Sequence, residues 1–177
     1  ADLLDQAAIN LTAQLGSKPA THETLDYILE RLRGYYQERG IGADIVEAVA
    51  ALKPSQPLDF DRRVKAVAAF RQLTAAESLA AANKRISNIL KKVDGELPSR
   101  IEVALLQEPA EQALADAVFA QENNVLPLFA VGDYEAALLS LASLREPVDQ
   151  FFTDVMVMAD DQALRNNRLA LLNHLRG

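Results

Sequence analysis

Lys84, Arg85, Asn88, Lys91 and Lys92 recur at intervals that, at about 100° per helical residue, gather them into an arc of roughly 120° on one helix. Cationic heads and an amide on a single stripe are suited to grip phosphates and to touch base edges. Leu79, Ala82, Ile86, Ile89, Leu90 and Val93 take the opposite arc, so the same helix carries a face to bury. The pattern equally describes a solvated face whose lysines suit a helix C-terminus. Arg62, Arg63 and Lys65 lie upstream, and from Arg62 to Val93 eight bases stand against the single acid Glu77. From Asp94 to Ala163 fourteen acids stand against Arg100 and Arg145. The net charge of −7 averages a +7 and a −12 segment, so it does not by itself exclude a nucleic-acid partner.

A second anomaly is Arg168, near the centre of an apolar face set by Leu164, Leu171, Leu172 and Leu175. An arginine there must pair with an acid or reach past the core to an acceptor. One reading pairs it with Asp154, Asp160 or Asp161; the other has Arg168, with Arg165 beside the stripe, contacting a polyanion.

Most other chemistry is missing. No cysteine occurs, which excludes a disulfide scaffold, a thiolate metal site and a thiol nucleophile. His22 and His174 are far apart in sequence and in no ligand spacing, so no metal site is expected. Phosphate-loop, dinucleotide, zinc-protease and serine-hydrolase signatures are absent. Asp160 with Asp161, or Asp59 with Asp61, could form a carboxylate pair, but acids at helix starts serve as caps far more often. Met156 and Met158, near Phe151 and Phe152, read as core rather than as a cofactor pocket. No catalytic residue is expected.

Elements with helical spacing must position these groups. The 177 residues are rich in Ala and Leu, and no run alternates with a strand's period. The first segment runs from Leu3 to Leu15. A second helix starts after Thr21, buries Leu25, Ile28, Leu29 and Leu32, and stops at Gly40; a third carries Ile45, Val46, Val49 and Leu52. Pro54 and Pro57 mark a hinge. Asp59 caps a fourth helix through Leu73, and Thr74 with Glu77 has the capping-box spacing that opens a fifth, to about Val93. Pro109 suits the first turn of a sixth, with a kink near Pro127. Asp133 caps a seventh, Pro147 opens an eighth, and Asp160 or Asp161 caps a ninth. The expectation is an all-α bundle of about nine helices, with a small helical segment over 1–53 and a bundle over 58–177. No run is long and apolar enough to span a membrane, and the acidic start at Ala1-Asp2-Leu3-Leu4-Asp5 reads as that of a cytoplasmic protein and of an excised fragment.

Several blocks resemble the C-terminal part of the β subunits of two-chain bacterial glycyl-tRNA synthetases. They are Asp59-Phe60-Asp61-Arg62-Arg63-Val64-Lys65-Ala66 with Phe70-Arg71, Leu79 through Leu90, Glu108-Pro109-Ala110-Glu111, Pro147 through Phe152, Asp154 through Asp160, and Ala163 through Leu172. Ala163-Leu164-Arg165 resembles the tripeptide that names the DALR anticodon-binding domains, with Gln162 where the name places Asp and Asp161 just before it. Ala82 to Ile86 is similar to an Ala-x-x-Arg-Ile pattern in the helical bundle of arginyl-tRNA synthetases.

The resemblance implies an all-α anticodon-binding domain of a larger β subunit. It also implies a glycine–tRNA ligase whose ATP and magnesium act in the partner α chain, with no cofactor in this region. The implied partners are glycine tRNA, the rest of the β subunit and the α subunit. Glycine anticodons end in two cytosines, and reading them requires acceptors for N4 or donors to O2 and N3. The expected RNA-binding residues are Arg62, Arg63, Lys65, Asn83, Lys84, Arg85, Asn88, Lys91, Lys92, Arg165 and Arg168. Asn83 and Asn88 are the base-edge candidates, and stacking falls to Arg85 or to an aromatic from another segment. The rival reading is a non-catalytic protein-interaction module of the same complex, its acidic half docking another domain and its basic stripe merely solvated.

Overall fold

The computed structural model describes residues 6, 7, 9, 10, 21–54, 56–93 and 95–176. The described residues form helices and connections, with no strand. Eight α-helices are assigned among them: α1 (Thr21–Gln37), α2 (Ala43–Ala51), α3 (Pro57–Phe70), α4 (Thr74–Leu90), α5 (Pro109–Val131), α6 (Tyr134–Leu141), α7 (Arg145–Asp154) and α8 (Gln162–Arg176). Short 3-10 turns lie at Val103–Leu105 and Ala142–Leu144. The expected first helix over Leu3 to Leu15 falls mostly outside the described residues, among which eight α-helices rather than nine are assigned. No helix among them is long and apolar enough to cross a membrane.

The chain divides into two compact units between Ala69 and Phe70, not at the Pro54–Pro57 hinge. The reason is the core of the first unit, in which Phe60 and Val64 of α3 pack with Tyr36, Ile45, Val46 and Val49. Among the α1 residues whose side chains are described, Tyr36 is buried, Ile28 is exposed and Leu29 and Leu32 are half-buried; the expected Leu25 side chain lies outside them. Leu52 is also exposed. At the end of α1, Gly40 adopts φ +77. Ile41 N–H then reaches Tyr36 C=O and Gly40 N–H reaches Gln37 C=O, each at 3.0 Å. This left-handed cap requires glycine's freedom.

In the second unit, α5 packs along α6 and α7, and α4 packs against α7 and α8. Ile86 and Leu90 of α4, Leu114 and Val118 of α5, Val148 and Phe151 of α7, and Leu169, Leu171 and Leu172 of α8 share one core. Burying each such side chain contributes about 1.5–3 kcal/mol. Helix α8 is buried continuously from Asn167 to Leu172, the pattern of a central helix.

Several expected helix starts hold and others shift. Asp133 accepts Ala136 N–H at 3.1 Å and caps α6. Asp161 accepts Ala163 N–H at 2.7 Å and Leu164 N–H at 3.1 Å and caps α8. Pro109 opens α5, which continues through Pro127 to Val131. Asp59, by contrast, lies inside the first turn of α3, which begins at Pro57. Leu73 occupies the cap position of α4 with no side-chain cap bond, so Thr74 makes no capping box. Helix α4 ends at Leu90 rather than Val93. Pro147 sits within the first turn of α7, which begins at Arg145.

Candidate nucleic-acid interface

Helix α4 buries Ala75, Ala76, Ala82, Ile86 and Leu90, which turns Lys84, Arg85, Asn88, Lys91 and Lys92 outward; all five are exposed. Among the described residues Lys84, Arg85, Lys91 and Lys92 have no carboxylate partner, whereas Arg145 pairs with Asp149 at 3.6 Å. Among the described residues the cations therefore sum to a positive field along the C-terminal half of α4, where the helix dipole adds negative charge only from its last carbonyls. Asn83 is exposed but lies outside the arc. It lines a cavity of about 180 Å³ with Leu79, Ile86, Leu141, Leu144, Val148 and Leu175.

Arg85 has a partner of a different kind. Its guanidinium lies over the Phe152 ring, 4.2 Å from the centroid. Phe152 is half-buried, and the fully buried Phe151 meets it edge-on at 5.5 Å and 77°. Helix α7 thereby carries a line of contacts from the core to the exposed arginine.

Arg62, Arg63 and Lys65 belong to the first unit. Arg62 is exposed, while Arg63 pairs with Asp59 at 2.8 Å and Lys65 with Asp61 at 2.7 Å, each one turn back on α3. Asp61 also accepts the Tyr36 hydroxyl at 2.9 Å. The hydrogen bond from Lys65 lowers the Asp61 pKa, and that from Tyr36 assists. Burial, then Asp61, raises the Tyr36 hydroxyl pKa, and Asp61 raises that of Lys65. Two of the three upstream bases are therefore engaged with α3's own acids.

Arg168 is buried and Arg165 half-buried. Arg168 is 6% exposed and its Nε meets Glu111 Oε1 at 2.5 Å. The partner is none of Asp154, Asp160 and Asp161, because α8 faces the start of α5 at this level and Glu111 already points back into the turn. Glu111 Oε2 accepts the backbone N–H of Gln107 at 2.9 Å and of Glu108 at 2.8 Å. Arg168 Nη1 also donates to Met156 C=O at 2.9 Å, and half-buried Arg165 donates to Ala159 C=O at 3.1 Å. One turn apart on α8, the two arginines fix the connection between α7 and α8. Along that connection Val155 and Val157 are buried while Met156 and Met158 are exposed. The methionines expected in the core face outward because α7 ends at Asp154, Val155 turns extended, and the two valines take the buried positions of the connection.

Glu111, Asn167 and Phe152 were not among the expected site residues. Glu111 stands at the third position of a helix opened by Pro109, a spacing that foretells its reach to the preceding amides. Asn167 accepts Glu102 N–H at 2.7 Å and donates to Glu102 C=O at 3.0 Å, holding the α4–α5 connection. No group of three or more His, Asp or Glu side chains among the described residues is gathered to hold a metal ion.

Comparison with known proteins places these features in a family. A family model described as the DALR anticodon binding domain matches residues 79–177. That span includes the stripe on α4 and leaves out Arg62, Arg63 and Lys65. The chain is 57% identical over 175 residues to the glycine–tRNA ligase beta subunit of Aeromonas salmonicida, covering 99% of this chain and 25% of that protein. It is 58% identical over 164 residues to the same subunit of Shewanella oneidensis, covering 93% and 24%. With that of Vibrio atlanticus the identity is 54% over 175 residues, covering 99% and 25%. The chain thus spans about a quarter of the length of the curated relatives it matches. In this chain Asp161 caps the Ala163-Leu164-Arg165 tripeptide and Arg165 braces the turn before it, and with its helical bundle the chain belongs to the DALR anticodon-binding domain family.

Proposed function

We propose that the chain binds the anticodon arm of glycine tRNA as part of a glycine–tRNA ligase β subunit. The observation that carries this is the exposed row Lys84, Arg85, Asn88, Lys91 and Lys92, without a carboxylate partner among the described residues, inside the span matched by an anticodon-binding family. Arg62 gives the first unit a phosphate contact of its own. Arg63 and Lys65 contribute less, since each first has to leave an acid on α3. Glycine activation with ATP and magnesium belongs to the partner α chain, in the cytoplasm, and residues 70–177 form the RNA-binding bundle.

The test is binding of a glycine anticodon stem-loop RNA to this chain and to the full two-chain enzyme across a salt series. Lys84→Glu with Arg85→Glu is expected to weaken binding and flatten the salt slope. An unchanged slope removes the row from the interface.

A second reading, docking of another protein domain, is favoured by exposed Leu126, Phe129 and Val131 at the end of α5, beside acidic Asp133 and Glu135. It predicts that this chain alone leaves the stem-loop unshifted at moderate salt.

A further inference from the structure

We infer that Arg85 and Phe152 form a preorganised stacking platform for one unpaired nucleobase. The inference rests on the anticodon-arm reading and adds the contact that turns a phosphate grip into recognition of an open loop. Single-stranded nucleic acid is held by aromatic and guanidinium planes as well as by charge, because every base presents a π face. On the exposed surface of the second unit, Arg85 already rests on an aromatic ring. The Phe152 ring centroid lies 4.2 Å from its guanidinium carbon, and Arg85 is exposed and has no ion-pair partner among the described residues, so a base can approach the guanidinium from the solvent side.

Preorganisation comes from below. Phe151 is fully buried and holds Phe152 edge-on, while Ile86 and Leu90 anchor α4 in the same core. An arginine held by a ring loses less rotamer freedom on binding a base than a lone surface side chain. Asn88, one turn along α4 and exposed, offers an amide beside the platform that can both donate to and accept from a base edge. Lys84, Lys91 and Lys92 flank it with charges for the adjoining phosphates. The occupant is therefore a base whose phosphates run along α4, from a loop and not from a paired stem.

The test compares two RNAs of equal charge, the glycine anticodon stem-loop and a duplex of the same length, with the wild-type chain, Arg85→Lys and Phe152→Leu. Arg85→Lys keeps the charge and removes the planar face; Phe152→Leu keeps apolar bulk and removes the ring. Both are expected to weaken stem-loop binding about 5-fold or more, from the worth of one stacked base, and to leave duplex binding within about twofold. An abasic nucleotide at the stacked position should then cost the Arg85→Lys protein little further affinity. Wild-type binding of the stem-loop with both variants equal to it overturns the platform and leaves the anticodon-arm reading standing. Failure of the wild-type chain and the full enzyme to bind the stem-loop overturns both.

Discussion

The guanidinium of Arg168 and the carboxylate of Glu111 meet at 2.5 Å where Glu111 is wholly buried and Arg168 nearly so. The pair joins the first turn of α5 to the middle of α8, and through Met156 C=O it also holds the α7–α8 connection. Removing one member leaves the other charge buried without compensation. Glu111→Gln or Arg168→Met is expected to lower stability by about 3–5 kcal/mol. The double variant should fall short of the sum by about 0.5–3 kcal/mol, measured by urea unfolding. Additive losses would mean that the two groups are not coupled.

The same pair sets an acid limit. Burial alone raises the Glu111 pKa, but the hydrogen bond from Arg168 and those from the Glu108 and Gln107 amides outweigh it and hold the carboxyl below its ordinary 4.5. A depressed folded-state pKa means the contribution is full above 4.5 and is lost as pH falls through the folded value. Urea midpoints followed from neutral pH into that acid range should drop steeply for the wild type. The Glu111→Gln protein should be less stable at neutral pH and show a shallower acid limb.

Asn167 bonds both backbone groups of Glu102 from inside α8. Asn167→Ala removes both bonds, at about 0.5–1.5 kcal/mol each, since Glu102 is exposed and its freed groups reach water. Faster hydrogen exchange at the Glu102 amide, with α5 protection unchanged, is the expected local signature.

Charge reversal should discriminate among the bases. Lys91→Glu and Lys84→Glu are expected to lower the salt slope of RNA binding by about 0.7–0.9 for each phosphate that is no longer neutralised. Arg63→Glu and Lys65→Glu should change it less, because these side chains are held by Asp59 and Asp61. Equal slopes for all four variants would show that the α4 row has no special role.

The helical class and most caps are legible in the sequence because they depend on local spacing. Gly40, Asp133, Pro109 and Asp161 each act within a few residues of where the chain's own periodicity breaks. The role of Thr74 is not legible, since Leu73 enters the cap position and leaves the threonine inside the first turn. The basic row on α4 follows from helical angles alone. The partner of Arg168 does not, because Glu111 lies 57 residues away and meets it only through the packing of α5 on α8. Met156 and Met158 mislead for a related reason: four residues alternating between Val and Met are too few to overrule a helical pattern on both sides. The ring beneath Arg85 likewise depends on the packing of α4 against α7, which no local spacing encodes.

The most direct measurement is the affinity of the full two-chain enzyme, and of this chain, for glycine tRNA and for variants in which either 3′ cytosine of the anticodon is replaced. If the bases are read, each replacement weakens binding by about 1–3 kcal/mol, and Arg85→Lys reduces the penalty for at least one of them. Equal affinity for wild-type and variant tRNA in both proteins would contradict anticodon recognition.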